Sequence, residues 1–176
     1  GQGTMSFPDG SKYVGSFKDN FYDGLGSMIY ADGRKYEGSF SRDLFDGHGI
    51  LTNSDGSKFI GIFVSGFSNG YGTMTYADGT KHVGMFRPNF QQNESTPNGY
   101  GVKTYPDGSI YSGMFANGLF SGQGVMLYSD ENSYSGTFKD GLYHGFGIYK
   151  EGSKTFSGQW LNGKLIQNFR EIKSNN

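Results

Sequence analysis

A pattern of aromatic rings and glycines comes back every 23 residues, and this period limits the fold more than any local feature does. The unit is clearest over 13–35. Tyr13, Gly15 and Phe17 open it, and a polar connection holding Phe21 follows. Gly24, Gly26, Met28 and Tyr30 come next, then the turn Asp32-Gly33, and the pattern restarts at Tyr36. A fixed period of this length is the mark of a repeat architecture, in which each unit buries its apolar face against its neighbours.

The organisation along the chain follows from that register. Residues 1–12 are the back half of a unit, and complete units span 13–35, 36–58 and 59–81. The unit 82–110 opens on His82 instead of a Tyr or Phe and is six residues longer, through the polar insertion Gln91–Pro97. Units 111–133 and 134–155 follow, the first with its turn changed to Asp130-Glu131-Asn132, the second one residue short. A final half unit covers 156–163, and 164–176 form a cap or tail.

Alternation of apolar and small or polar residues at period two marks strands. Asp-Gly between two such runs signals a hairpin, because Gly accepts the positive φ the turn needs. The expected fold is all-β: an elongated, single-layer antiparallel β-meander of stacked hairpins. The chain carries 31 Gly, 13 Tyr and 16 Phe. Rings of one unit are expected to fill the space above the glycines of the next, with the sheet curved around them. Leu165, Ile166, Phe169 and Ile172 stand at helical spacing, which predicts a short capping helix over the last open strand. Residues 174–176 are expected to be a disordered tail.

Several function classes have no support. There is no Cys, which removes disulfides, thiol chemistry and the usual structural zinc sets. The net charge is −1 with both signs scattered, so no basic run points to nucleic acid. No apolar stretch approaches a transmembrane span. The three histidines, His48, His82 and His144, occupy different positions of the unit; His82 replaces a core ring and is read as packed. Asp9, Asp32, Asp55, Asp78 and Asp107 recur because turns favour them. The Gly-x-Gly pairs have no third glycine and no following helix, so they do not make a phosphate loop. No catalytic residue, cofactor or metal site is expected. The chain opens in the middle of a unit, as a segment of a longer protein would.

The set Tyr13, Gly15, Phe17, Gly24, Gly26 and Asp32-Gly33, with its counterparts in 36–56, 59–79, 111–130 and 134–152, resembles the MORN (membrane occupation and recognition nexus) repeat. That family's pattern is roughly Y-x-G-x-x-x-x-G-x-x-x-G-x-G, then an apolar pair and D-G. Its middle glycine is Gly66, Gly118 and Gly141 here, but Asn20 and Asp43 in the first two units. The resemblance implies a non-enzymatic scaffold, cytoplasmic and at the cytoskeleton or membrane periphery. It leaves open a phosphoinositide-binding module or a regulatory segment of a larger enzyme. Basic residues are sparse, so phospholipid binding is expected to be weak or absent.

Two surfaces are candidates for a partner. The ring-bearing face is expected to form a groove for a helix or extended peptide, with Phe40, Phe63, Tyr76, Phe86, Tyr105, Phe115 and Tyr128 as anchors. On the other face Ile60, Ile62, Val83, Met85, Met114, Val125 and Leu127 read as an apolar patch, where the first two units carry mostly polar residues. That patch suits self-association into a homodimer, or reflects ordinary β-propensity.

Overall fold

The computed structural model describes residues 1–91 and 94–173, and every regular element in them is a strand. The chain divides into two units, Gly1–Thr96 and Pro97–Asn176, and the division falls within the polar insertion. The first unit holds β1 (Gln2–Ser6), β2 (Lys12–Lys18), β3 (Phe21–Ile29), β4 (Lys35–Ser41), β5 (Leu44–Thr52), β6 (Lys58–Val64), β7 (Phe67–Thr75) and β8 (Lys81–Asn89). Each pairs antiparallel with the next. Strand β9 (Glu94–Thr104) starts at the division. The second unit continues with β10 (Ile110–Ala116), β11 (Leu119–Leu127), β12 (Ser133–Lys139), β13 (Leu142–Glu151), β14 (Lys154–Leu161) and β15 (Lys164–Lys173), again paired in chain order.

Two kinds of hairpin alternate. The tight ones lie in what reads as the polar connection: Lys18 pairs with Phe21 and Val64 with Phe67, across two-residue turns. Both turn residues have positive φ, 52° and 67° at Asp19-Asn20 and 50° and 88° at Ser65-Gly66, which is the turn that matches the right-handed strand twist. The departures Asn20 and Asp43 therefore keep the geometry of the middle glycine, since Asn and Asp tolerate this region. The Asp-Gly hairpins are longer, five residues each. In the first, Asp9 Oδ1 accepts the Ser11 N–H at 2.8 Å and Gly10 N donates to Phe7 O at 3.0 Å. Glu131 takes the glycine position of this loop at φ 68°.

The core is built by one repeated contact. Gly15 and Gly26 face each other across β2 and β3, and the Tyr13 ring lies flat on that pair. A Cβ added at Gly15 would come within 2.5 Å of the Tyr13 hydroxyl. The hydroxyl donates to the Ser16 carbonyl at 2.9 Å. Tyr36, Tyr111 and Tyr134 repeat the contact over their own glycine pairs and donate to Ser39, Met114 and Thr137 carbonyls. Each ring thus covers the glycines of its own hairpin, not those of the next. Coupling to the next unit is edge-on: Phe40 meets Tyr13, Phe63 meets Tyr36 and Phe138 meets Tyr111, at ring separations of 5.0 to 5.1 Å. Two aromatic clusters result, one in each unit.

The end of the chain departs from expectation. Residues 164–173 form β15 and not a helix. The open edge of β14 offers a row of backbone partners, and a ten-residue helix is marginal by itself. In the strand Leu165 packs on the core while Ile166 and Phe169 are exposed, so the helical spacing buries no common face. Trp160 of β14 closes the cluster, donating from Nε1 to Gly147 O at 3.2 Å. The tail 174–176 lies outside the described residues.

Two outcomes test this core. Gly124→Ala places a Cβ 2.5 Å from the Tyr111 hydroxyl. It should cost about 3 kcal/mol in denaturant unfolding, the upper range of overpacking. Burial also pushes the hydroxyls of Tyr36, Tyr111 and Tyr134 up to about 12. In the unfolded chain they ionise near 10. The core favours the neutral phenol, so its contribution is complete below pH about 10 and is lost as pH rises towards about 12. The melting temperature should fall through that window, and phenolate absorbance should show a late-titrating fraction.

Candidate functional site

The first unit carries a groove of about 510 Å³, lined by apolar side chains from β5 to β8 and by the residues that begin β9. Its floor is Phe59, Phe63 and Phe86, each buried in the core. Phe45, Leu51, Phe67, Met74 and Tyr76 form the walls. Arg34 and Glu94 stand at its margin, one charge of each sign. Arg34 is held by Asp32 at 2.7 Å and lies 4.7 Å over the Tyr30 ring. Burial raises the Tyr76 hydroxyl above its ordinary value, with Asp78 and Glu94 adding to the shift.

The groove has a local cause. In four units a second ring, nine residues after the first, stacks on its outer face. Tyr22 covers Tyr13 at 3.9 Å; Phe45, Phe120 and Tyr143 cover Tyr36, Tyr111 and Tyr134 at 3.7 Å. In the unit opened by Phe59 that residue is Ser68. The backbone register is unchanged: Ser68 pairs with Phe63 as Tyr22 pairs with Phe17 and Phe45 with Phe40. The side chain ends at the hydroxyl, and the cavity lies beside it. Aligning the units would have exposed this substitution in the sequence; the significance of the ninth position becomes visible only once the stacking is seen.

The anchors read from the sequence separate into two classes. Phe40, Phe63, Phe86 and Phe115 are at most 4% exposed, so they are core side chains and not free anchors. Phe40, Phe63 and Phe86 pack edge-on against a ring of the preceding unit, and Phe115 packs edge-on against Tyr111 and Phe120 of its own. Tyr76, Tyr105 and Tyr128 are half-buried. Tyr76 lines the groove with Phe63 and Phe86, whereas Tyr105, Phe115 and Tyr128 belong to the second unit. Tyr128 there shares a hydrogen bond with the Tyr143 hydroxyl. Lys103 lies 5.4 Å from the Tyr105 ring centre.

The apolar residues of the other face also divide. In the first unit Ile60 sits between Ile50 and Thr73, with Val83 one strand further. Ile62 pairs with His48 and Met85 with Tyr71. Ile60 and Val83 are 46% exposed. In the second unit Leu127 pairs with Ile110 and Val125 with Ser112, while Met114 stands at a bulge. All three are exposed.

His82 is fully buried and meets the Phe86 ring edge-on at 5.1 Å, as a packed histidine does. His48 is exposed and His144 half-buried. Among the described residues no group of three or more His, Asp or Glu side chains could hold a metal ion. No described helix is long and apolar enough to cross a membrane.

Comparison with known proteins gives a family and several distant folds. Solved structures similar to the chain include the following three. One is the SAS-4 (dCPAP) TCP domain of Drosophila melanogaster, in complex with a proline-rich motif of Ana2 (dSTIL). It is 10% identical with a TM-score of 0.44, covering 90% of this chain and 78% of that one. The TCP10 domain of Danio rerio CPAP is 15% identical with a TM-score of 0.35, covering 78% and 70%. The G-box domain of the microcephaly protein CPAP is 12% identical with a TM-score of 0.34, covering 90% and 93%. No curated protein matches the chain. The family model of the MORN repeat matches residues 1–12, 13–33, 36–58, 59–81, 96–110, 111–133, 134–150 and 156–165. These segments follow the register of the ring-and-glycine hairpins, and the chain belongs to the MORN repeat family.

Proposed function

We propose that this chain is a non-catalytic interaction scaffold that holds a segment of another protein, helical or extended, in the groove of its first unit. One observation carries the reading: a surface groove of about 510 Å³ with Phe45, Leu51, Phe67, Met74 and Tyr76 in its walls. Its size falls in the range of ligand sites, and ring-lined grooves suit peptide segments. The phenolic group of Tyr76 gives the wall a polar tip that can orient a peptide backbone. Anchoring falls to the wall residues Phe67, Met74 and Tyr76, because the floor rings support the fold. Such a scaffold would work in the cytoplasm, at the cytoskeleton or membrane periphery.

Self-association is a second reading, favoured by the exposure of Ile60 and Val83 beside Ile50 on the opposite face of the first unit. Exposed apolar residues that adjoin one another often mark an interface. Phospholipid binding is expected to be weak, because lysines of this face alternate with neutral residues: Lys12, Ile29, Lys35, Thr52, Lys58, Thr75, Lys81.

The groove is tested by selecting displayed random 15-residue peptides on the immobilised chain and mapping the winners by amide chemical shifts. The shifts should fall on Phe67, Met74 and Tyr76. Tyr76→Ala should weaken the selected peptides about tenfold or more, while the fold is retained. Failure to select any binder, or shifts confined to the other face, would defeat the reading. For the second reading, Met85→Lys should lower the sedimentation coefficient of any dimer to that of the monomer. A coefficient that matches the wild type at every concentration would count against that interface.

A further inference from the structure

We propose that the face of the first unit opposite the groove docks an acidic amphipathic helix of a partner protein, laid across β5 to β8. The inference is independent of the groove reading and goes beyond it.

The strand register sorts this face into rows. One row carries lysines: Lys35, Thr52, Lys58, Thr75 and Lys81 stand side by side on successive strands. Two residues along each strand from Thr52 to Lys81 lies the row Ile50, Ile60, Thr73 and Val83. Beyond it His48 pairs with Ile62 and Tyr71 with Met85. The apolar side chains therefore form a strip, roughly 14 Å across the strands by roughly 7 Å along them. Ile60 and Val83 are 46% exposed and Tyr71 is 64% exposed. An open hollow of about 270 Å³, lined by His48, Gly49, Ile50, Ile60 and Gly61, gives a seat for one projecting side chain.

Shape favours a helix. The backbone groups of these strands are already paired within the sheet, so a further strand has no ladder to join here. A half-apolar sheet face is buried by packing another element on it. A helix about 10 Å wide, with one apolar stripe, matches a long narrow strip.

Charge selects the kind of helix. Lys35 is bonded to Glu37 at 2.9 Å, whereas Lys58 and Lys81 are exposed and form no ion pair among the described residues. Lys58 and Lys81 lie two strands apart, about 9.6 Å. A helix rises about 10.5 Å over seven residues and returns to nearly the same side. Asp or Glu at positions seven apart can therefore meet both lysines while the apolar stripe rests on Ile60 and Val83. A second copy of the chain, applied through the same face, matches the charge less well. The carboxylate it brings in these rows is Glu37, already taken by Lys35. The whole chain carries −1, so a preference for an acidic ligand has to come from this face.

Two synthetic helices test the face. An eighteen-residue peptide with leucines along one stripe and glutamates beside it is titrated into the whole chain. Its twin has lysine in place of each glutamate, and amide chemical shifts report the site. The glutamate peptide should bind at least tenfold more tightly than its twin, with shifts at Ile60, Tyr71 and Val83. Lys58→Gln with Lys81→Gln should bring the two peptides within twofold of each other. Lys58→Glu with Lys81→Glu should leave the melting temperature unchanged and reverse the preference. Tyr76→Ala, which weakens groove ligands, should leave the glutamate peptide within twofold, so the two surfaces fail separately. Equal binding of the peptides, no binding of either, shifts confined to the groove, or a preference that survives both lysine pairs of substitutions would each overturn the proposal. A dimer that buries Ile60 and shuts out the peptide would overturn it by giving the face to a second copy. Attachment to phosphatidylserine vesicles without binding of the glutamate peptide would overturn it by giving the face to lipid.

Discussion

A tyrosine or phenylalanine ring resting on two opposed glycines is the contact on which this structure depends. A single sheet has no second layer to bury its side chains. Here the backbone of the sheet is the second surface. With no Cβ at Gly15 and Gly26, or at Gly113 and Gly124, a ring can lie directly against the main chain. Each buried ring removes roughly 150 to 250 Å² from water. At about 25 cal/mol per Å² that is roughly 4 to 6 kcal/mol per ring before entropy is counted. The core is thus thin, aromatic and repeated, and each hairpin supplies both the ring and its seat.

Local assembly has consequences for where variation is tolerated. A first ring meets its own glycines, its own cover and the edge of one ring in the next unit. Successive hairpin tips are tied by backbone bonds, such as Asp43 N to Tyr22 O and Gly66 N to Phe45 O, and by Ser11 Oγ accepting from Ala31 N. A change in one cover is therefore felt mainly by one unit. Ser68 alters the surface while β6 and β7 keep their pairing. The insertion before Pro97 likewise divides the chain without disturbing the register on either side. In an architecture of this kind, the surface varies where one unit differs from its neighbours.

Much of this was readable in the residues. The 23-residue step, the alternation of ring and glycine, and the polar turns lead directly to antiparallel hairpins. The two-residue turns were less legible, because Asp-Gly attracts attention and yet closes the longer loop, while Asp19-Asn20 and Arg42-Asp43 close the tight one. At the end of the chain spacing misleads, since Leu165, Ile166 and Phe169 fit a helix by spacing alone and yet lie in a strand. Spacing carries no information about the open edge of β14, and that edge decided the matter. Phe40, Phe63, Phe86 and Phe115 read as anchors for a partner by their spacing, but they pack the interior.

The linear order of residues determined the period, the strand character and the ring-over-glycine core, because those depend on neighbours within one or two hairpins. Which rings remain open to a partner depends on contacts between residues far apart in the chain, and only the tertiary structure decided it. Phe17 and Phe63 occupy the same position in their units, yet the first is half-buried and the second is buried against Tyr36 and Phe45 of the unit before it and Phe59 of its own. Ser68 is one more polar residue until the stacking of its four counterparts shows that it stands where they place a ring.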